Sequence, residues 1–418
     1  MSPVPSKPPA SAAPLRAGSS LGPVRVLVVD DSALVRDLLS RGLALDPGIE
    51  VVGQAADVYE ARDRIVTLAP DVLTLDVNMP GMDGIEFLRR LLPQYPIPVI
   101  VVSAFTAEGS RLGLAALEAG AVDVVAKPSA ADQGGLRDML LDLAARLREA
   151  GRMDSAKLGR AGGPGAAGGW GAGRAGASRG AKDFAQRERS APSGAGGVPA
   201  PLPARPSPCV VAIGASTGGV NALGAIVPLF PASCPPVVIV QHMPAVFTRL
   251  FAESLDKSSQ AEVREARDGD GLAPGLVLVA PGDLQLRVVR ESPGLYRVRC
   301  APGPKVSGHR PSVDVLFGSV AEAAGPRAAG LLLTGMGRDG ADGLLALRRA
   351  GARCLAQDEE SSVVFGMPRE AWINGAAERL VALDRAAAEI MEMAASASRG
   401  GAGSLAAEGR AAAGGGTR

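Results

Sequence analysis

The sequence has little cysteine, and its cysteines form no pattern that suggests a covalent framework. The four residues, Cys209, Cys234, Cys300 and Cys354, lie far apart and make neither a CxxC pair nor a short disulfide-like spacing. Such usage is typical of a reducing compartment. We therefore expect a cytoplasmic protein.

Long apolar runs and a strong net charge are also absent. No run of about 18 uncharged apolar residues occurs, the length that a membrane-spanning helix requires, and the N-terminus lacks the apolar core of a signal peptide. Lys and Arg total 44 against 43 Asp and Glu, a formal net charge of +1. Without a global basic field, we expect neither nucleic-acid binding nor membrane insertion.

Three segments rich in Gly, Ala, Ser and Pro contain too few large apolar residues to offset the entropy of ordering them. We predict a disordered N-terminus at 1–23, a flexible linker at 151–207 and a disordered tail at 395–418. The two remaining segments, 24–150 and 208–394, are long enough to bury cores of their own.

Residues 24–150 alternate short β-branched runs with helical patterns five times. The runs are "VRVLVVDD", "IEVVGQA", "DVLTLDV", "PVIVVSA" and "VDVVAKP". This alternation predicts an α/β domain of (βα)5 type, with a parallel sheet covered by helices on both faces. Ligands of such sheets bind beyond the carboxyl ends of the strands, where this sequence has Asp30, Asp31, Asp76, Ser103 and Lys127.

Each of these aspartates alone has an ordinary explanation, because Asp after a strand often caps a helix or forms a turn. Three carboxylates at one sheet edge, however, repel one another unless a divalent cation lies among them. Mg²⁺ suits such a site, since it prefers oxygen ligands. Together the three aspartates indicate a magnesium site.

These residues resemble the motifs of the receiver domain of two-component response regulators. The matching pieces are "VVDDS", "LTLDVNMPGMDG", "VVSA" and "AKP". The resemblance implies that Asp76 accepts a phosphoryl group from a histidine kinase, with Ser103 and Lys127 contacting the phosphoryl oxygens. The implied metal pocket consists of Asp30, Asp31, Asp76 and the backbone at Asn78. A carboxylate nucleophile, a metal ion and a cation are what formation of an acyl phosphate needs.

One position departs from the receiver pattern. Three residues before Lys127, where receivers commonly carry an aromatic switch residue, this sequence has Val124. A signal carried by an aromatic rotamer change is therefore not expected.

Residues 208–394 begin with a strand that ends in a turn of small residues. Gly214 to Gly218, in "AIGASTGG", fits the G-x-S-x-G nucleophile elbow, which exposes a serine between strand and helix. The alternative is a glycine-rich helix start with Ser216 or Thr217 as N-cap. A phosphate cradle is less favoured, because neither G-x-x-x-x-G-K-[ST] nor G-x-G-x-x-G is present.

A base and an orienting acid are available for Ser216. His242 follows the β-branched run "PPVVIVQHMP", so it belongs at the same sheet edge, although a buried turn-capping histidine is the alternative. The strand over 330–334 leads into a glycine-rich turn carrying Asp339 and Asp342. Asp339 is the predicted carboxylate that fixes the imidazole tautomer.

The second part resembles the catalytic domain of chemotaxis protein-glutamate methylesterases, the CheB family, over about 209–380. The motifs are "AIGASTGG", "VQHMP", "PSVDVLF", "LLTGMGRDGADGL" and "AQDEESSVVFGMPREA". With the receiver in front, the resemblance covers the whole predicted ordered chain. It implies a doubly wound α/β catalytic domain.

The family resemblance implies a phosphorylation-regulated serine esterase. Its reaction is the hydrolysis of glutamate γ-methyl esters on methyl-accepting chemotaxis receptors, with release of methanol, together with deamidation of receptor glutamines. Ser216, His242 and Asp339 are the implied catalytic residues, and Thr217 and Met336 the implied oxyanion donors. The esterase step is expected to need no cofactor.

Other questions stay open at the level of sequence. His309 either lines the substrate groove or caps the helix that begins near Pro311. The unphosphorylated receiver is expected to pack over the Ser216 face and inhibit it. The alternatives to this reading are a binding protein that keeps the esterase fold without turnover, and an esterase acting on receptors of a non-chemotactic pathway.

Overall fold

The structure is a computed structural model, and it describes residues 22–79, 84–104, 106–127, 135–153 and 202–397. Most of the predicted disordered N-terminus, linker and tail lies outside the described residues. Within the described part, no helix is long and apolar enough to cross a membrane.

The N-terminal part is the predicted parallel sheet with helices. Its strands are β1 (Val24–Val29), β2 (Ile49–Ala55), β3 (Val72–Leu75), β4 (Val99–Ala104) and β5 (Asp123–Lys127). Its helices are α1 (Ala33–Leu43), α2 (Val58–Leu68), α3 (Gly84–Leu91), α4 (Ala107–Glu118) and α5 (Gly135–Ala150). The strands pair in parallel in the order β2-β1-β3-β4-β5.

Local sequence explains where these helices begin. Ser32, Asp57 and Thr106 have extended backbone and side-chain oxygens that accept from N–H groups in the first turn of α1, α2 and α4. The central strand β3 is buried at every position, because helices cover both faces of the sheet. The order of the sheet reverses between β1 and β3, which places Asp30, Asp31 and Asp76 at the switch point.

The C-terminal part contains a larger parallel sheet and an antiparallel hairpin. Its strands are β6 (Val210–Ala215), β7 (Val237–Gln241), β8 (Glu262–Glu265), β9 (Leu276–Val279), β10 (Gln285–Ser292), β11 (Leu295–Ala301), β12 (Ala328–Leu332), β13 (Arg353–Gln357) and β14 (Arg379–Val381). Its helices are α6 (Gly219–Ile226), α7 (Ala245–Ser258), α8 (Val313–Ala324), α9 (Ala341–Arg349), α10 (Met367–Ile373) and α11 (383–397).

The seven-stranded sheet runs β14-β13-β12-β6-β7-β9-β8, and all its pairs are parallel. The chain builds outward from β6 on one side and then from β12 on the other, so the switch point lies between these two strands. This confirms the predicted doubly wound α/β architecture. The hairpin β10–β11 lies outside the sheet and was not anticipated from the sequence.

The two domains pack directly on each other through α4 and α7. Leu114, Leu117 and Val124 of the receiver belong to the same buried cluster as Phe247 and Phe251 of the C-terminal domain. Gly113 permits the close approach, because a Cβ at this position would lie 2.7 Å from Cε1 of Phe247. The interface is therefore apolar and tightly packed.

Candidate active site and phosphoacceptor site

Three loops at the carboxyl edge of the large sheet carry the predicted esterase residues. Ser216 follows β6, His242 follows β7, and Asp339 lies in the loop after β12. All three side chains are buried. The structure thus brings the sequence-predicted serine, histidine and aspartate to one crevice beside the topological switch point.

The turn after β6 is a tight connection between strand and helix that carries Ser216. Gly218 has φ of 76°, a left-handed conformation that favours glycine, and a Cβ there would lie 2.5 Å from Cβ of Val363. The Ser216 backbone is fixed by its N–H bond to the Thr334 carbonyl at 3.0 Å. A side-chain N-cap, the alternative reading of this turn, is not what starts α6, because its N-cap is Gly218.

The His242 ring is oriented by Asp339. His242 Nε2 lies 2.8 Å from Asp339 Oδ2, and because a carboxylate only accepts, Nε2 carries the proton. The other nitrogen, Nδ1, is buried and has no hydrogen-bond partner among the described residues. His242 therefore presents a free lone pair at Nδ1, which is the state a general base requires.

A dense set of donors holds the Asp339 carboxylate. Ser312 Oγ donates to Oδ1 at 2.7 Å, and the backbone N–H groups of Val313 and Asp314 donate to Oδ2 and Oδ1 at 2.8 and 3.1 Å. Burial alone would raise the pKa of Asp339, but the bonds from His242, Ser312 and Val313 lower it to about 2. Asp339 is consequently ionised at every pH where a histidine base works.

His309 lies against the face of the His242 ring. The two rings stack with centroids 3.8 Å apart and planes 11° apart. Burial and the nearby His242 lower the pKa of His309 to about 3, so it is neutral at physiological pH. Helix α8 is capped by Ser312, whose Oγ accepts from Val315 N–H, so the helix-capping role considered for His309 is not the one observed.

Two backbone N–H groups are available as oxyanion donors. In the part of the chain that the structure describes, neither Thr217 nor Met336 has a hydrogen-bond partner for its N–H. Thr217 follows the serine, and Met336 follows Gly335, where a Cβ would lie 2.8 Å from Cβ of Ser216. The glycine keeps this second loop against the serine, as a pair of oxyanion donors requires.

The receiver domain closes this crevice. The Val122 carbonyl accepts a hydrogen bond from the Gly218 N–H at 3.3 Å. Asp123 Oδ2 accepts a hydrogen bond from the Thr217 hydroxyl at 3.4 Å, and the same oxygen pairs with Arg146 Nη1 at 2.6 Å. The cavity left between Val122 to Val124 and Ser216 is only about 10 Å³. That volume is close to the minimum for one water molecule, so this cavity does not hold an ester substrate in this arrangement.

The acidic residues of the receiver also meet at one sheet edge. Asp30, Asp31 and Asp76 each have a carboxylate oxygen within 4.8 Å of the others. Lys127 Nζ lies 2.7 Å from Asp30 and 2.5 Å from Asp76. The Asn78 backbone N–H donates to Asp76 at 2.9 Å. This cluster is the geometry that a metal-dependent phosphoacceptor needs.

Charge and burial compete in this pocket. Burial raises the pKa of Asp30, and the bond to Lys127 offsets only part of that effect. Burial would lower the pKa of Lys127, but its bonds to Asp30 and Asp76 raise it overall. Ser103 is not directed at these groups in this arrangement, since its hydroxyl donates to the Gly109 carbonyl of α4 at 3.0 Å.

The sequence did not indicate every residue that supports the site. Ser312 and Gln285 lie 27 residues apart, yet Gln285 Oε1 accepts from the Ser312 N–H at 2.9 Å. Gln241 donates to the Ser216 and His242 carbonyls at 2.9 and 3.0 Å. The "PSVDVLF" motif contains Ser312 and was the one available signal, but it carried no indication of a partner.

The fold and site define a class: a response-regulator receiver joined to an α/β domain with a serine-hydrolase arrangement. The CheB methylesterase family model matches residues 211–390, and the response regulator receiver domain model matches residues 26–139. A protein-glutamate methylesterase/protein-glutamine glutaminase of Syntrophotalea carbinolica is 51% identical over 370 residues, or 88% of this chain and 97% of the relative. A homologous enzyme of Caulobacter vibrioides is 49% identical over 377 residues, or 89% and 98%. The chain belongs to the CheB family.

Replacing Asp339 with asparagine is expected to lower kcat for ester hydrolysis on the order of 10⁴-fold. The amide group of asparagine has two orientations at this position, and both are unfavourable. In one, its NH₂ group faces Ser312 Oγ–H and the Asp314 N–H, which are themselves donors. In the other, its NH₂ group donates to His242 Nε2, so that the ring proton moves to Nδ1 and the base is lost. Initial rates measured with the purified variant test this.

The matched control is Asp342→Asn, three residues further on in the first turn of α9. Asp342 is exposed and pairs with Arg338 at 2.9 Å, so its loss is expected to change the rate less than about twofold. Equal rates for both variants would show that Asp339 does not orient the base.

Proposed function

We propose that this protein is a phosphorylation-controlled serine esterase that hydrolyses glutamate γ-methyl esters on chemotaxis receptors. The observation that carries the proposal is the convergence of Ser216, the free Nδ1 of His242 and the ionised Asp339 at one sheet edge. The names of the relatives supply the substrate class.

The reaction follows from the roles of these groups. Ser216 Oγ attacks the ester carbonyl while His242 Nδ1 takes its proton, and the Thr217 and Met336 N–H groups stabilise the developing oxyanion. The imidazolium returns the proton to the departing methoxide, giving methanol and an acyl-enzyme. Water deprotonated by His242 then releases the glutamate carboxylate and restores Ser216.

The same residues can process a primary amide, in which case the leaving group is ammonia. The relatives are named protein-glutamine glutaminases as well as methylesterases, so we include deamidation of receptor glutamines in the proposal. The partners are then the receptors as substrate and a histidine kinase as phosphodonor, with the cytoplasm as the place of action.

The arrangement described above is the inhibited form in this proposal. Phosphorylation at Asp76 adds negative charge beside Lys127 and offers new acceptors to the Ser103 hydroxyl. Ser103 then leaves the Gly109 carbonyl, which shifts α4 and weakens its packing on α7. This route takes the place of an aromatic switch, which is not expected with Val124 at that position, and it requires only the contacts of α4.

The receiver pocket fits Mg²⁺, because three carboxylates crowd together with one cation, Lys127, to balance them. The residues that would hold the ion are Asp30, Asp31, Asp76 and the backbone at Asn78. When bound there, Mg²⁺ would supply positive charge to balance the phosphoryl oxygens.

Chelation of Mg²⁺ is therefore expected to abolish stimulation through the receiver domain and to leave the basal esterase rate unchanged. With excess EDTA, a small phosphodonor such as acetyl phosphate is expected to give no stimulation. The basal rate is expected to stay within about twofold, because the roles proposed for Ser216, His242 and Asp339 need no metal. Rates with EDTA, and after adding Mg²⁺ in excess, test this. A basal rate that falls with chelation would place a metal in the esterase step.

The experiment that tests the proposal uses receptor membranes carrying radiolabelled methyl esters. Purified protein with Mg²⁺ and acetyl phosphate is expected to release volatile labelled methanol, and unlabelled glutamine-bearing receptor is expected to release ammonia. If receptor binds but neither product appears, the protein is a binding module in an esterase fold.

A further inference from the structure

The carboxylate of Asp339 has an unusually complete set of partners, and one of them comes from a side chain outside the predicted triad. Ser312 Oγ lies 2.7 Å from Asp339 Oδ1, the shortest bond from the N-terminus of α8 to this carboxylate. Both side chains are buried, Ser312 completely. Bulk water therefore does not compete with the hydroxyl for this carboxylate.

The two oxygens of Asp339 are used differently. Oδ2 receives the His242 Nε2–H and the Val313 N–H, while Oδ1 receives the Ser312 hydroxyl and the longer Asp314 N–H bond. A carboxylate held by donors on both oxygens cannot rotate about its Cβ–Cγ bond without breaking several of them. The Ser312 bond thus fixes the plane in which Oδ2 meets the imidazole.

Ser312 is itself held in place from the β10–β11 hairpin. Its N–H donates to Gln285 Oε1 at 2.9 Å, and Gln285 Nε2 donates to the Pro304 carbonyl at 2.9 Å. The Ser312 hydroxyl also accepts from Val315 N–H as the cap of α8. Since the ionised carboxylate of Asp339 can only accept, the hydroxyl donates its proton to Asp339.

We propose that Ser312 is a positioning residue of the esterase reaction, the fourth member of a chain Ser216–His242–Asp339–Ser312. It acts through Asp339 and does not touch substrate. The expected effect on the rate rests on the proposed function. The control of the His242–Asp339 hydrogen bond by Ser312 does not depend on the substrate.

The test uses Ser312→Gly and Ser312→Thr in the full-length protein. Glycine is a tolerated N-cap, so Ser312→Gly removes the hydroxyl with little loss of helix stability. Threonine restores a hydroxyl. Asp57→Ala, which removes the cap of α2 in the receiver, is the control for a purely structural loss.

Two readouts separate positioning from stability. With Mg²⁺ and acetyl phosphate, Ser312→Gly is expected to lower kcat about tenfold with KM within twofold, and Ser312→Thr to recover most of it. In proton NMR, the low-field resonance of the His242 Nε2–H is expected to shift and broaden by exchange in Ser312→Gly only. The chain has two histidines, so a His309→Gln variant assigns the signal.

The NMR readout needs no substrate, so it distinguishes the two ways of failing. If the wild type has no esterase activity but the resonance changes in Ser312→Gly as expected, the proposed function is overturned and the role of Ser312 in holding Asp339 is supported. An unchanged resonance overturns the role of Ser312, whatever the rates. A rate loss with an unchanged resonance, matched by Asp57→Ala, shows that Ser312 is only a helix cap.

Discussion

Ser216→Ala is expected to lower the rate of methanol release by 10⁴-fold or more, on the scale seen when a catalytic serine is removed. The loss is large because no other group can form the acyl-enzyme. The fold is expected to persist, since the Ser216 hydroxyl makes no hydrogen bond among the described residues and only its backbone is held. The measurement is labelled methanol release alongside a thermal melt.

Ser258→Ala is the matched control for this loss. Ser258 lies at the end of α7, and its hydroxyl donates to the Leu255 carbonyl at 3.0 Å, away from the crevice. It is expected to retain the wild-type rate. Residual activity of Ser216→Ala above about a hundredth of wild type would contradict nucleophilic catalysis by this serine.

Gly113→Glu is expected to raise the basal esterase rate about tenfold without any phosphodonor, a magnitude typical of coupling between two sites. Any side chain at Gly113 meets Phe247 at 2.7 Å, and a carboxylate in this apolar contact is costly to desolvate. The receiver is therefore expected to separate from α7 and expose Ser216. The basal rate, compared with the rate after phosphodonor addition, tests this.

Arg111→Glu provides the control on the same helix. Arg111 is exposed, so its charge change alters α4 without entering the contact with α7. Its basal rate is expected to match wild type. If Gly113→Glu keeps the low basal rate while its α4 remains folded, the packing of α4 on α7 does not inhibit the enzyme.

Most of the active site could be predicted from the residues that follow each strand, because these positions can be identified from the local sequence alone. A polar residue after a β-branched run goes to the carboxyl edge whatever its neighbours are, and this rule placed Ser216, His242 and Asp339 together. The same rule gathered Asp30, Asp31 and Asp76 in the receiver. The two resemblances then supplied the family and its reaction, which the comparisons with known proteins confirm.

What the sequence did not reveal depends on contacts between distant segments. The bond from Ser312 to Asp339 spans 27 residues, and its existence depends on how α8 approaches the loop after β12. The tautomer of His242 required the direction in which its ring points. The packing of Gly113 on Phe247 involves two domains, and no periodicity in either segment encodes the partner surface.

The alternatives for His309 show the same limit. A histidine three residues before Ser312 was equally compatible with a groove and with a helix cap. The turn that carries it places its ring on His242, with Ser307 and Gly308 at φ of 52° and 84°. A left-handed Ser307 is not a feature that sequence patterns predict, because serine rarely adopts it.

The most direct test of the central claim is methanol release from methylated receptor membranes by the wild type and by Asp76→Asn, each with Mg²⁺ and with or without acetyl phosphate. The account predicts a low basal rate for both proteins and stimulation of the wild type alone. Equal stimulation of Asp76→Asn, or a wild type whose receiver becomes phosphorylated without any increase in methanol release, would contradict it.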